Sequence, residues 1–112
     1  LFVDGKDATA TEMALSAVRA ATRPEKDPLL AECNFYLFAH APDHRATAGL
    51  ALRDMLTEGI STGDWDFTRH IERVTREDPD RAPLLTALAA ALGIGDPAGL
   101  EDFPEWAALG TQ

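Results

Sequence analysis

Asp27-Pro28-Leu29-Leu30-Ala31-Glu32-Cys33-Asn34-Phe35-Tyr36-Leu37-Phe38-Ala39-His40-Ala41-Pro42 is the stretch whose reading decides the fold. Asp27 reads as an N-cap with Pro28 in the first helical position, and Pro42 forbids continuation. Between them almost no polar face remains. A helix that is apolar nearly all round is buried by neighbours on several sides. It is also too short to span a bilayer, which takes roughly 20 residues. The spacing therefore predicts a buried central helix over 27–41, wrapped by the others.

Working outward, the remaining segments are punctuated by Pro, Gly and acidic caps. Ala14, Leu15, Val18 and Ala21 form the packing stripe of a first helix, capped by Thr9 or Thr11 and closed at Arg23-Pro24. Pro42-Asp43 predicts the start of a third helix with Asp43 as cap, ended by Gly59. A fourth is expected from about Trp65 to Glu77, with Phe67, Ile71 and Val74 on its apolar side. A fifth is expected from about Arg81 to Leu92, with Asp80 as cap, Pro83 in its first turn and Gly93 as terminator. Short helical turns follow, opened by Asp96-Pro97 and by Phe103-Pro104. Residues 1–8 read as an extended N-terminal segment, and Leu1 in place of methionine is expected of a processed or trimmed chain. The expectation is a single all-α domain over 1–112, a compact bundle of about five main helices plus short C-terminal turns around the 27–41 helix.

Composition narrows the function classes. With 46% hydrophobic and 26% charged residues, the chain is globular rather than disordered. A single cysteine rules out an internal disulfide and points to the cytoplasm. The abundance of Ala and Arg, with Lys6 and Lys26 the only lysines, suggests a GC-rich bacterial source. The net charge is −9, opposite in sign to what direct nucleic-acid binding requires. It is also uneven: residues 1–56 hold 8 acids against 6 bases, and residues 57–112 hold 11 against 4. No apolar run is long enough for a membrane span.

Motifs that could carry chemistry are incomplete. Gly59-Ile60-Ser61-Thr62-Gly63 matches the Gly-x-Ser-x-Gly nucleophile elbow, but that motif needs a strand-to-helix turn on a parallel sheet. Gly93, Gly95 and Gly99 miss the dinucleotide spacing and follow a helix. His70 lies one helical turn after Asp66, so the two could form a surface acid–base pair with no nucleophile attached to it. Cys33, His40 and His44 are the one soft-ligand cluster, but Pro42 should break the helical spacing of the two histidines, and neither His-Glu-x-x-His nor a repeated Glu-x-x-His supports them as a zinc or di-iron site. No cofactor and no catalytic residue is expected.

The acids that rim the two tryptophans form a more coherent pattern. Trp65 lies between Asp64 and Asp66, and Trp106 follows Glu101, Asp102, Phe103, Pro104 and Glu105. Aromatics edged with carboxylates suit a hot spot for a basic protein. The leading expectation is thus a non-catalytic protein-binding module, an inhibitor or immunity-type protein or an accessory subunit, using Asp64, Trp65, Asp66, Glu101, Asp102 and Trp106. The alternative is a helical small-molecule or metal-binding domain with its site near Cys33, His40 and His44. The apolar girth of the central helix also leaves room for a homodimer.

Overall fold

The computed structural model describes residues 7–20, 28–62, 66–96 and 99–109. Among these the order is α1 (Asp7–Ala20), α2 (Pro28–His40), a 3₁₀ turn (Pro42–His44), α3 (Arg45–Thr57), α4 (Thr68–Glu77), α5 (Ala82–Ile94), a second 3₁₀ turn (Leu100–Asp102) and α6 (Pro104–Leu109). The described residues contain no strand, and the molecule is an all-α bundle with a radius of gyration of 12.8 Å.

Helix α2 is central, as its apolar girth requires. It packs against α1, α3 and α4; α4 in turn lies on α5, and α6 closes against α3. Phe35 and Phe38 are wholly buried on it, with Leu30, Ala31 and Leu37 beside them. Each large apolar side chain buried in this way stabilises the fold by about 1.5–3 kcal/mol relative to exposure. Leu52, Met55 and Leu56 from α3, Leu85, Leu88 and Leu92 from α5, and Trp106 from α6 complete the core. Phe67 stacks on Phe35 with centroids 4.1 Å apart, which anchors the start of α4 to the central helix.

Several boundaries differ from the sequence expectation, each for a local reason. Asp43 caps no helix; Pro42–His44 forms a 3₁₀ turn, and α3 begins at Arg45 with no side-chain cap from His44. Helix α4 starts at Thr68 rather than near Trp65, because the Asp66 carboxylate accepts hydrogen bonds from the Thr68 backbone N–H and hydroxyl. Asp80 does not cap α5; Arg81 occupies the N-cap position. That helix also runs through Gly93 and stops at Gly95, whose φ of +70° is the left-handed conformation that glycine adopts without a steric penalty. Gly59, with φ of +79°, ends α3 as expected. Asp7 and Ala8 already belong to α1, while 1–6 and the Asp27 cap lie outside the described residues.

Candidate functional site

The C-terminal end of α2 gathers most of the polar side chains that the fold covers. His40, only 7% exposed, closes the helix, and its Nε2 lies 2.9 Å from Nδ1 of His70 on α4. The Tyr36 ring stacks on His70 at 4.3 Å, and the Tyr36 hydroxyl donates to Glu32 at 3.3 Å. Burial chiefly pushes the His70 pKa down to about 4, with the positive charge of Arg73 acting in the same direction, so its imidazole is neutral at pH 7. Burial raises the Glu32 carboxyl above its usual range, and the hydrogen bond from Tyr36 offsets part of that rise.

Arg81 seals the same end. Its side chain is buried, and its Nη2 and Nη1 donate to the carbonyls of Phe38 (3.0 Å) and Ala39 (3.4 Å), two of the acceptors that a helix C-terminus leaves open. Its Nε and Nη2 each meet a Glu105 carboxylate oxygen at 2.8 Å, a bidentate pair reaching α6. The guanidinium also lies 4.9 Å from the centre of the Phe38 ring. One side chain thus ties α2, α5 and α6 together.

Beside it opens a cavity of about 310 Å³ between the end of α2, the start of α3, the end of α4 and the start of α5. Its walls include Arg45, Arg73 and Arg81 together with His40, Glu77 and Asp78. Arg73 pairs with Glu77 at 2.8 Å. Arg45 is different: its Nε is buried without a hydrogen-bond partner among the described residues, and it forms no ion pair with any of them. Burial, and then the charge of Arg81, lower its pKa, while Glu105 and Asp78 act in the opposite direction from beyond ion-pair distance. An unpartnered buried donor costs about 1–3 kcal/mol, more when charged. A second cavity, of about 360 Å³, borders His40 on its other side and is lined by His44, Asp43 and Glu12.

The six nominated binding residues separate. Asp64 and Trp65 lie outside the described residues. Trp106 is 1% exposed and packs edge-to-face on Phe38, so its ring is core and not an exposed hot spot; with Leu109, also buried, it is what grips the bundle from the six residues of α6. Arg53 holds that end in place, donating to the Trp106 carbonyl at 3.1 Å and pairing with Glu101 at 2.7 Å. Asp66, Glu101 and Asp102 are exposed. The Asp66–His70 pairing does not form, since the Asp66 carboxylate accepts from Thr68 and His70 bonds to His40. Cys33, His40 and His44 form no ligand set: the described residues hold no group of three or more His, Cys, Asp or Glu able to hold a metal. Ser61 has a structural task, donating to the Gly93 carbonyl at 2.9 Å and docking the α3–α4 loop on α5.

The distribution of charge is the other property of functional weight. Of the described acidic side chains only Glu32 and Glu105 are partly covered; the rest are exposed. Of the arginines whose side chains are described, Arg69 and Arg76 are exposed, Arg45, Arg53 and Arg73 are partly covered, and Arg81 is buried. Comparison with protein-family models, curated proteins and solved structures finds no match to this chain.

Proposed function

We propose that this chain is a small, non-catalytic, cytoplasmic protein-binding domain that engages a basic partner, as an inhibitor, an immunity-type protein or an accessory subunit. The observation that carries this reading is the segregation of charge on folding. Arg81 is buried and Arg45, Arg53 and Arg73 are partly covered, with Arg81, Arg53 and Arg73 paired to carboxylates, while nearly every other described acid faces solvent. Among the described residues, exposed carboxylates therefore far outnumber exposed cations, in a chain whose net charge is −9. Such a field steers a cationic partner and raises its association rate, an effect that salt suppresses. No helix among the described residues is long and apolar enough to cross a membrane.

The partner-facing surface includes Asp102 and Asp54, which flank the Arg53–Glu101 bridge in sequence and are exposed. Neither makes a side-chain hydrogen bond or ion pair with another described residue, so reversing them probes binding rather than the described packing. The experiment is affinity capture from native lysate at low and high salt, comparing the wild type with the Asp54→Lys/Asp102→Lys double variant. A stoichiometric basic partner that the wild type releases at high salt, and that the variant captures weakly, supports the reading. A partner held equally by both proteins removes this surface from the interface.

A further inference from the structure

We propose that the cavity between α2, α3, α4 and α5 is a binding site for a small carboxylate-bearing molecule, held by Arg45. Three arginines line it, and two are already committed: Arg73 to Glu77, and Arg81 to Glu105 and the last carbonyls of α2. Arg45 alone among the three has no acceptor among the described residues, with its Nε buried. Because Nε is covered by protein, Nη1 and Nη2 are the donors that present a planar fork to a carboxylate, through two parallel N–H···O bonds. Arg45 is also the first residue of α3, a helix of 13 residues with no capping side chain at His44, so the positive end of the helix dipole adds to the field.

Size and surroundings select the ligand class. About 310 Å³ is at the lower end of ligand pockets, which span roughly 300–1,000 Å³, so the site holds a few carbon atoms rather than a nucleotide. Ala39, Pro42 and Val74 provide an apolar wall for a short carbon chain. Glu77 and Asp78 also line the cavity, and their charge disfavours a phosphate dianion more strongly than a carboxylate monoanion. This site is independent of the acidic outer surface.

The test is a titration of the ¹⁵N-labelled full chain with sodium propionate, read at the Arg45 Nε–Hε resonance, with inorganic phosphate and sodium chloride at matched ionic strength as comparisons. The expected result is a saturable shift with propionate that chloride does not reproduce. Arg45→Gln is expected to weaken propionate binding by about tenfold or more, and Arg45→Lys, which keeps the charge but loses the fork, by several-fold. Circular dichroism confirms that both variants are folded. No saturable shift, an equal shift with chloride, or unchanged affinity in Arg45→Gln overturns the site. Tighter binding of phosphate than of propionate overturns the carboxylate assignment.

Discussion

His40 Nε2 and His70 Nδ1 are 2.9 Å apart although 30 residues separate them in sequence, and their hydrogen bond joins the last turn of the central helix to α4. The bond needs at least one neutral ring, because one nitrogen must accept. Burial supplies that condition by holding His70 down to a pKa of about 4.

The pH dependence of stability follows with a definite sign. In the unfolded chain the imidazole takes up a proton near pH 6.5, whereas in the folded protein it does so only near 4. Between those values the unfolded state binds more protons, so falling pH drains stability through this window and leaves it untouched above. Urea unfolding midpoints measured across the window should fall less steeply for His70→Gln than for the wild type. Parallel slopes would show that His70 does not carry the effect.

Arg81→Met should be severe. It strips the α2 carbonyls of their donors and leaves the Glu105 carboxylate unpaired, a loss of about 3–5 kcal/mol for a buried pair, towards the lower end here because Glu105 is partly solvated. The double variant Arg81→Met/Glu105→Gln should recover part of that loss in chemical denaturation. A purely additive double variant would show that the pair is not coupled.

Trp106→Ala should destabilise the protein by about 3–5 kcal/mol through the cavity it leaves. Trp106→Phe, which retains most of the packing against Phe38, should lose less and should bind any partner as the wild type does. Weakened binding by a stably folded Trp106→Phe would place the indole in the interface instead.

Gly95→Ala should cost more than Gly59→Ala, although both glycines have positive φ. A Cβ at Gly95 would meet the Gly59 carbonyl oxygen at 2.9 Å, whereas a Cβ at Gly59 meets nothing within 4 Å. The Gly59 variant carries only the left-handed backbone penalty of roughly 1–2 kcal/mol, and thermal unfolding of the two proteins should rank them in that order.

The helical architecture was legible because its signals are local: prolines and glycines punctuate the chain, and Leu84, Leu85, Leu88 and Leu92 mark a buried face by spacing alone. The boundary errors at Asp43 and Gly93 come from competing local solutions of similar cost, a 3₁₀ turn and a later glycine. Trp106 was ambiguous because acids beside an aromatic suit a helix N-terminus as well as a binding rim. The cluster around Arg45 and Arg81 brings together residues from four segments, and no sequence spacing encodes that meeting. One signal was available. Both arginines stand at the start of a helix, where the dipole disfavours a cation. For Arg81 the broken rule is offset by Glu105 and the α2 carbonyls, whereas Arg45 has no such partner among the described residues.

The Arg81 clamp also bears on the order in which the chain can reach its final form during synthesis. Domains generally fold as units as they emerge, at about 5–20 residues per second. Here the end of the central helix is sealed by a side chain whose own carboxylate partner, Glu105, is translated 24 positions later. Trp106, which fills the core against Phe38, arrives at the same moment. A nascent chain that has exposed α1 to α5 therefore holds an unneutralised arginine beside an open hydrophobic floor. Sealing of this end of the central helix must wait for α6.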